Sequence, residues 1–388
     1  MRHERQLALL KQCLQYTDEK STQMAAEEYL APVEQYTDLT WFEKEKKGLI
    51  QRYPTMIVHI SELPESNTFV RREFGGMSLL VTRDKEDEYH VFLNVCRHRG
   101  AALVSEEKGC AKRFTCPYHA WTYANDGKLQ GVPHGKKGFP TLKREELGLV
   151  ELESEVALGF VWTRLVPPSA DATPQPFALR EFLGAFYEDL EHFALDEHEI
   201  LFEEHSRWRA NWKILAEGGL ETYHLQEAHK KTIAPLFLDT VSMHHQINIH
   251  QRSILPKRSL LTLPSQEEST WSIREHANVL FSLLPFSSLL VQPDHITWIL
   301  MVPVSPEETQ TSIYTLIPKK EGERSEKEFR YWQKNHELLV VTLTEDFDLA
   351  ESIHKGFHSG ANTHLRFARF EGALQTLHKI IHEAVEAV

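Results

Sequence analysis

The chain has 388 residues, of which 41% are hydrophobic, and this length and composition favour a globular protein of about two domains. It contains no apolar run of about eighteen residues, and the start MRHERQLALLKQCLQ carries charges where a secretory signal needs an apolar core. We therefore expect a cytoplasmic protein without a membrane span. The formal net charge of −13 disfavours a nucleic-acid partner and suits the docking of a protein with a basic face.

The N-terminal half predicts a short helical region followed by a β domain. Residues 1–39 show a weakly amphipathic helical pattern and are expected to form a lead-in that packs on the C-terminal domain. From 40 to 165, short β-rich runs such as TMIVHI and YHVFLNV are separated by Gly, Pro, Asn and Asp. This pattern predicts a small all-β domain.

The C-terminal half, residues 166–388, predicts a mixed domain. It begins with the Pro-rich segment VPPSADATPQP (166–176), which has no periodicity and is predicted to be an interdomain linker. β-rich runs lie between 288 and 317, and helical patterns cover about 327–354 and 371–388. Strands followed by helices indicate an α+β fold.

Three of the four cysteines lie close together in CRHRGAALVSEEKGCAKRFTCPYH (96–119). Cys96 and His98 form one short pair, and Cys116 and His119 form a second pair after a loop. Thiolate and imidazole bind zinc and iron–sulfur clusters, and in a Rieske centre two histidines replace two cysteines on one iron. The turn and packing residues around the pairs favour the cluster. A structural zinc site and unligated core residues are the alternatives.

A second set of candidate metal ligands lies in NWKILAEGGLETYHLQEAHKK (211–231). Five residues of regular helix advance about 500°, so the side chains of His224 and His229 would point roughly 140° apart on an uninterrupted helix. They can meet at one metal only if the helix is broken. Gly218 and Gly219 mark this segment as irregular.

A third ligand is available in TEDFDLAESIH (344–354), a predicted helix with four carboxylates. Two histidines and one carboxylate on one face of a ferrous ion leave positions open for oxygen and substrate. By composition alone, this segment is more simply a solvated acidic helix face. The pairs Glu221 with His224 and Glu351 with His354 also match the Glu-x-x-His spacing of di-iron sites in four-helix bundles, but the β-rich runs argue against such a bundle.

The two motif regions together match one known family. The first region contains CRHRGA and CPYHAWTY, followed by Asp126 and Gly127. The second contains NWK and a following glutamate, together with Glu221, Tyr223, His224, His229, Glu345 and Asp346. In linear order and length the chain resembles the large α subunits of Rieske non-haem iron oxygenases over nearly its whole extent. The resemblance implies an α+β protein, with an all-β Rieske [2Fe-2S] domain and a helix-grip catalytic domain that has helices against an antiparallel sheet.

The resemblance also implies a role for each candidate residue. Cys96 and Cys116 would bind one iron of the Rieske cluster, and His98 and His119 would bind the other. Glu221 would take the family's bridging acidic position, which joins a Rieske histidine of one subunit to an iron-ligand histidine of its neighbour. Because that relay crosses a subunit boundary, the resemblance implies a homotrimer. The mononuclear Fe(II) would be bound by the remaining candidates, His224, His229 and Asp346.

Two positions depart from the family pattern. Many relatives have Asn where this chain has Gly218, and many have Gln where it has His354. Neither is a ligand position in the family, so the departures concern the surroundings of the iron.

A terminal oxygenase of this kind would activate O2 at the mononuclear iron and hydroxylate or demethylate a small organic substrate. No nucleotide-binding fingerprint accompanies a strand–helix pattern, so electrons are expected from a separate NAD(P)H-dependent flavin and iron–sulfur reductase, directly or through a ferredoxin. The substrate is an aromatic acid or a quaternary-ammonium compound, and the compact spacing of the second region leans towards relatives acting on choline, betaine and carnitine. Aromatic candidates for stacking on a ring or caging a methylammonium group are Phe281, Phe286 and Trp298.

A competing interpretation from another function class is a ferredoxin-like electron carrier with no oxygenase activity. Such a carrier would use Cys96 to His119 but leave the second histidine set without a role. A structural zinc protein would bind zinc and no sulfide. The sequence does not choose between mono-oxygenation, dihydroxylation and demethylation, and it does not show whether a β subunit is present.

Overall fold

The computed structural model describes residues 1–166 and 178–388 and divides into two compact units. One unit, which we call the large unit, comprises Met1–Ile50 together with Arg180–Val388. The small unit comprises Gln51–Leu179. Each unit has its own sheets, so their folds are described in turn.

The sequence-based domain limits differ from those of the compact units. The prediction placed the limits after residues 39 and 165, whereas the compact units divide after residues 50 and 179. The predicted linker, 166–176, lies outside the described residues apart from Val166.

Helices and strands are distributed along the whole described chain. The α-helices are α1 (His3–Asp18), α2 (Glu34–Thr37), α3 (Leu39–Glu45), α4 (Gly135–Gly138), α5 (Leu179–Leu183), α6 (Ala185–Glu191), α7 (Trp212–Gly218), α8 (Leu225–Ala228), α9 (Ile273–His276), α10 (Glu326–Phe357) and α11 (Gly372–Glu386). The strands are β1 (Tyr29–Pro32), β2 (Thr55–His59), β3 (Thr68–Phe74), β4 (Met77–Arg83), β5 (Tyr89–Leu93), β6 (Lys108–Cys110), β7 (Arg113–Thr115), β8 (Thr122–Ala124), β9 (Leu129–Gly131), β10 (Glu151–Leu152), β11 (Ser154–Ala157), β12 (Phe160–Thr163), β13 (His198–Trp208), β14 (Met243–Ile247), β15 (His250–Pro256), β16 (Ala277–Leu283), β17 (Ser287–Val291), β18 (Ile296–Ser305), β19 (Glu308–Pro318) and β20 (His364–Phe367).

The small unit is built mainly of short strands, as predicted. It contains a five-stranded sheet in the order β10-β5-β4-β3-β6 and two three-stranded sheets in the orders β11-β12-β2 and β7-β8-β9. Phe69 and Phe92 of the five-stranded sheet share one buried core with Phe114 of β7. Cys96 and Cys116 belong to the same core, so packing of the two sheets positions both candidate thiolates.

The large unit is centred on a seven-stranded antiparallel sheet in the order β13-β19-β18-β17-β16-β15-β14. Side chains alternate across each strand, so residues that pair directly across strands share one face. Ser253, Leu280 and Thr315 belong to one row of paired positions and define what we call the helix face. Arg252 and Phe281 belong to the neighbouring row and point to the opposite face.

Helices α10 and α11 cover the helix face. The hydroxyl of Thr315 lies 2.9 Å from Nδ1 of His336 in α10. At the other end of the sheet, His244 of β14 pairs with Ser253, and its Nε2 lies 3.4 Å from the hydroxyl of Thr376 in α11. An antiparallel sheet held by long helices is the expected helix-grip arrangement, and the α+β prediction is confirmed.

The two helices predicted near the C-terminus are confirmed as α10 and α11. Helix α10 is 32 residues long and starts with a capping box in which Ser325 and Glu328 exchange side-chain to backbone hydrogen bonds. The acidic segment 344–354 lies within α10. Among the described residues, no helix combines the length and the apolar character needed to cross a membrane.

Replacing Gly48 with alanine is expected to destabilise the large unit by about 3 kcal/mol or more. Gly48 lies in the π-helical turn Lys46–Ile50, and a Cβ built on it would lie 2.0 Å from the carbonyl oxygen of Ala384 in α11. That oxygen is backbone and cannot rotate away. The measurement is the free energy of unfolding, obtained from urea titration followed by circular dichroism.

The matched control for this prediction is Gly356→Ala in α10. A Cβ on Gly356 meets nothing within 4 Å, and alanine favours a helix, so this variant should be neutral or slightly stabilised. Equal losses in the two variants would contradict the assigned close contact at Gly48.

Candidate metal centres

The first candidate ligand pair lies on a tight loop of the small unit. The amide of Cys96 donates to the carbonyl of Ala101 at 2.8 Å, and the amide of Gly100 donates to the carbonyl of Cys96 at 2.9 Å. Gly100 has φ +79°, a left-handed conformation that glycine adopts at little cost. His98 lies within the turn that these hydrogen bonds close.

The second pair lies on a loop with the same hydrogen-bond pattern. The amide of Cys116 donates to the carbonyl of Trp121 at 2.8 Å, and the amide of Ala120 donates to the carbonyl of Cys116 at 3.0 Å. Ala120 has φ +56°, a left-handed conformation that costs an alanine roughly 1 kcal/mol. His119 lies within this second turn. The chain therefore builds the same ligand-presenting loop twice.

The two loops bring their histidines together. The ring centroids of His98 and His119 are 4.6 Å apart, and the ring of His98 stacks on Trp121 with an interplanar angle of 8°. The ring of Phe139 stands perpendicular to those of His98 and Trp121, with both centroid distances 5.6 Å, so the imidazole is fixed by aromatic packing. Nδ1 of His98 is buried and has no hydrogen-bond partner among the described residues. An orphaned imidazole nitrogen of this kind fits a metal ligand.

Both cysteines are deeply buried, and Cys96 contacts a phenol. Cys96 and Cys116 are 2% and 3% exposed. The hydroxyl of Tyr123 lies 3.5 Å from Sγ of Cys96 and accepts the amide N–H of Arg97 at 3.0 Å. Desolvation, the hydrogen bond with Cys96 and the charges of both cysteines raise the pKa of Tyr123. The raised pKa keeps the phenol of Tyr123 protonated at neutral pH, so Tyr123 can donate a hydrogen bond to a cysteine thiolate, a role that sequence reasoning did not assign.

The second set of candidates lies where a helix of the large unit is broken, as predicted. Helix α7 ends at Gly218, a bend follows, and the single turn α8 begins at Leu225. His224 immediately precedes α8 and His229 immediately follows it. This arrangement turns the two imidazoles towards each other, with their Nε2 atoms 3.2 Å apart.

Helix α10 brings the third candidate to the same point. Oδ1 of Asp346 lies 2.9 Å from Nε2 of His229 and 3.4 Å from Nε2 of His224. All three ligand atoms lie within 4.8 Å of one another, so one metal ion can contact them together. His229 is buried, whereas His224 and Asp346 remain partly exposed, which leaves one side of the group accessible.

The outer nitrogen of each histidine is bound by a further carboxylate. Nδ1 of His224 contacts Glu221, which also accepts the amide N–H of His224. Nδ1 of His229 lies 2.7 Å from Oε2 of Glu345, which also accepts the hydroxyl of Thr232 at 2.7 Å. Such partners fix the tautomer and ring orientation of metal-binding histidines. The sequence analysis included Glu345 in the motif but assigned it no hydrogen-bond partner. Nothing in the sequence singled out Thr232.

These carboxylates also set the charge state of the group. Desolvation lowers the pKa of His224, but the hydrogen bond to Glu221 and the charges of Glu221 and Asp346 exceed it, so the net shift is upward. Desolvation also lowers the pKa of His229, but its hydrogen bonds with Asp346 and Glu345 and the charges of these carboxylates exceed that effect, so the net shift is again upward. Desolvation raises the pKa of Glu345, but its bond to His229 produces a net downward shift. The site is therefore electrostatically suited to a cation.

The departure at Gly218 removes a side chain beside the third candidate ligand. A Cβ at Gly218 would lie 3.8 Å from Cγ of Asp346. Gly218 therefore leaves space next to this carboxylate where a larger residue would contact it.

The helix face of the sheet adjoins this site. A Cβ at Gly219 would lie 3.2 Å from Leu280, which pairs with Ser253 on the helix face. Gln251 lies one position further along the same face, paired with Ser282. Gln251 and Ser253 are each 1% exposed, and neither the amide nor the hydroxyl has a hydrogen-bond partner among the described residues. Two buried polar side chains thus lie on the sheet face that adjoins the helix carrying the site.

Two of the three aromatic residues predicted to line a pocket, Phe281 and Trp298, lie on the face of the sheet opposite Leu280. Phe281 points to the opposite face of the sheet and packs edge-on against Phe186 of α6. Trp298 shares that face and stacks on Tyr314. Phe286 is buried in the turn between β16 and β17. Strand alternation places Leu280 rather than Phe281 next to the site, so we do not assign Phe281 and Trp298 to a substrate pocket.

Comparison with known families agrees with both metal centres. The Rieske [2Fe-2S] domain matches residues 53–148, and the ring hydroxylating alpha subunit (catalytic domain) matches residues 188–387. The second match covers half of the chain. The chain belongs to the ring-hydroxylating α-subunit family. Oxygenases of this family contain a Rieske [2Fe-2S] cluster and a mononuclear iron centre, take electrons from a reductase partner and act on small substrates with O2.

Two curated relatives and one solved structure show the range of this similarity. The carnitine monooxygenase oxygenase subunit of Escherichia coli (strain K12) is 28% identical over 86% of this chain and 85% of its own length. The anthranilate 1,2-dioxygenase large subunit of Acinetobacter baylyi is 29% identical over 64% of this chain, and the match spans 53% of that subunit. A quaternary ammonium Rieske monooxygenase described for carnitine oxidation and inter-subunit electron transfer superposes with a TM-score of 0.74 at 24% identity, covering 91% of this chain and 94% of its own.

The rival interpretations from the sequence are not supported. The large unit is a helix-grip fold rather than a four-helix bundle, and Glu351 accepts the amide N–H of Arg209 instead of meeting a metal ligand. An electron carrier would not need the catalytic domain that fills the large unit. The protein is an oxidoreductase of the Rieske oxygenase class.

Removing the carboxylate of Glu345 is expected to weaken Fe(II) binding to this oxygenase about 10- to 100-fold. Without it, Nδ1 of His229 loses its partner and the imidazole is no longer held in the required tautomer. Fe(II) titration of Glu345→Ala, monitored by bound iron per chain, measures the change. Glu351→Ala, on the same helix but away from the histidines, is the control and should bind iron normally. Equal iron affinities in the two variants would rule out the orienting role.

Proposed function

We propose that this oxygenase acts on a small carboxylic acid that also carries a nitrogen group. One observation carries this: His224, His229 and Asp346 converge beside a sheet face on which Gln251 and Ser253 are buried with no hydrogen-bond partner in the described part of the chain. Two imidazoles and a carboxylate are the ligand set of non-haem Fe(II) oxygenases. The side-chain amide of Gln251 and the hydroxyl of Ser253 can form hydrogen bonds with a substrate.

The ligands of both metal groups are part of the proposal. Cys96 and Cys116 hold one iron of the [2Fe-2S] cluster, and His98 and His119 hold the other, consistent with the paired loops and the orphaned Nδ1 of His98. His224, His229 and Asp346 hold the mononuclear iron. When bound, these groups supply the one-electron transfer and oxygen chemistry that amino-acid side chains lack.

The chain's own carboxylates orient the iron ligands. Glu221 accepts a hydrogen bond from Nδ1–H of His224, and Glu345 accepts one from Nδ1–H of His229, so each Nε2 lone pair points to the ion. Hydrogen bonding at the outer nitrogens keeps both imidazoles in one tautomer. Because these bonds do not depend on substrate, the ligand set is preorganised before the reaction begins.

Glu221 is also proposed to carry the link between subunits. Its side chain is 11% exposed, so one edge remains available to a second chain. In a homotrimer, a Rieske histidine of the neighbouring subunit would donate a hydrogen bond to Glu221. Electron transfer would then be coupled to the position of the proton in that hydrogen bond. Electrons would enter from an NAD(P)H-dependent flavin and iron–sulfur reductase, directly or through a ferredoxin. The net charge of −13 suits a reductase with a basic docking face.

The substrate class follows from the two relatives and from the buried polar pair. Carnitine and anthranilate differ in their carbon skeletons, but each carries a carboxylate and a nitrogen substituent. Gln251 can donate an N–H and Ser253 an O–H, and neither has an acceptor among the described residues. A carboxylate bound there would satisfy both donors, which are costly to bury unpaired.

The test of the proposed function begins with metal content and electron transfer. Wild-type protein purified without oxygen should hold about three irons and about two acid-labile sulfides per chain, and its reduced cluster should give a Rieske-type paramagnetic signal. Glu221→Gln should retain these metals but transfer electrons to the mononuclear iron about 10- to 100-fold more slowly in a single turnover. Zinc without sulfide in the wild type would refute the function.

Glu227→Gln is the matched control for electron transfer. Glu227 lies between the two histidines in sequence, but it is exposed and pairs with Lys230. Its removal should leave the single-turnover rate unchanged. An unchanged rate in Glu221→Gln as well would argue against the relay while leaving the oxygenase assignment intact.

Carboxylate recognition is tested by removing the buried polar groups one at a time. Gln251→Leu and Ser253→Ala should each raise the dissociation constant of the acid that the enzyme oxidises by about 10-fold or more, since a hydrogen bond to a charged group is worth about 1.5–3 kcal/mol. Anthranilate and L-carnitine are the probes, measured by calorimetry on the iron-loaded enzyme. Gln246→Leu, at the exposed position paired with Gln251, is the control. Equal binding of an acid and its methyl ester would contradict the proposal.

A further inference from the structure

A second cluster of potential metal ligands lies at the C-terminal end of α10. His354 and His358 are four residues apart and therefore lie on one side of the helix. Glu307 approaches them from the turn between β18 and β19. One ligand atom from each of the three residues lies within 4.8 Å of the other two. None of the three residues belongs to the iron site around Asp346.

His354 is the residue that sets this cluster apart from an ordinary surface group. Its side chain is 3% exposed, yet neither ring nitrogen has a hydrogen-bond partner among the described residues. Its ring contacts those of Phe357 and His358, with centroids 5.6 and 5.5 Å away. A buried imidazole with no partner is unfavourable unless something binds it. Desolvation and the nearby His358 lower the pKa of His354, so its nitrogen lone pair is available at neutral pH.

The other two residues already have the spacing of metal ligands. Nε2 of His358 lies 3.5 Å from Oε1 of Glu307. Bonds of about 2.0–2.1 Å to a tetrahedral Zn²⁺ place ligand atoms roughly 3.3–3.4 Å apart. Both side chains are more than half exposed, at 51% and 62%, and can adjust towards the buried His354.

We propose that His354, His358 and Glu307 form a site for a divalent transition-metal ion such as Zn²⁺, distinct from the mononuclear iron centre. Two imidazoles and one carboxylate supply three ligands, and water completes a tetrahedral set. The ion joins the end of α10 to the turn between β18 and β19. Because α10 also carries Asp346, occupancy of this site stiffens the helix that presents an iron ligand. The site does not depend on the proposed substrate or on the reductase.

The experiment uses Zn²⁺ and the holoenzyme already loaded with Fe(II). Calorimetric titration should detect a zinc site whose affinity falls at least about 10-fold in His354→Gln and in Glu307→Gln. Crystals soaked in zinc chloride should show an anomalous difference peak at the zinc edge between His354, His358 and Glu307. Zinc should raise the melting temperature of the wild type but not of the two variants.

The matched control is His382→Ala in α11. Nδ1 of His382 lies 3.4 Å from Oε2 of Glu386, so this is an exposed His–Glu pair of similar spacing in the same unit. It should bind zinc as the wild type does. Zinc found only at His224, His229 and Asp346, or unchanged affinity in both test variants, would overturn the proposal. Iron content and O2-dependent turnover, measured on the same samples, report separately on the proposed function.

Discussion

The catalytic half of this protein depends on a break in one helix. Two histidines five residues apart point roughly 140° apart on a regular helix. The chain ends α7 at Gly218 and restarts for a single turn between His224 and His229, which makes the two Nε2 atoms neighbours. Helix α10 then brings Asp346 to the same point, because both helices lie on the helix face of one sheet.

The two candidate metal centres share one feature, which is that several of the proposed ligands are held by contacts away from the proposed metal. In the small unit, backbone hydrogen bonds close two equivalent loops, and Trp121 and Phe139 fix the ring of His98. In the large unit, Glu221 and Glu345 hold the outer nitrogens of the histidines. Second contacts of this kind control ring orientation and tautomer, which are properties that a ligand set alone does not determine.

The two faces of the seven-stranded sheet carry different kinds of side chain. The opposite face is filled by aromatic contacts such as Phe281 against Phe186, which stabilise the unit. The helix face carries Gln251 and Ser253, whose polar groups are buried without partners among the described residues. Unsatisfied polar groups reduce stability, so their presence next to a metal site is best explained by a ligand that completes their hydrogen bonds.

The sequence alone determined the chemistry of the protein. Cys96, His98, Cys116 and His119 lie close together in the chain as two short pairs, so their spacing indicates two ligand-bearing loops without any tertiary information. It also predicted the long C-terminal helices and some strands of the small unit, such as β2 and β5, whose apolar residues are continuous. Strands β13 to β16 were not predicted. In β13, which reads HEILFEEHSRW, the many polar residues hide the alternation of apolar and polar side chains that indicates a strand. Only the tertiary structure decided which face each strand residue occupies, which placed Phe281 on the face opposite Leu280 and Gln251 on the same face as Leu280. Face and register depend on pairing between strands distant in sequence, and a one-residue shift reverses every side chain.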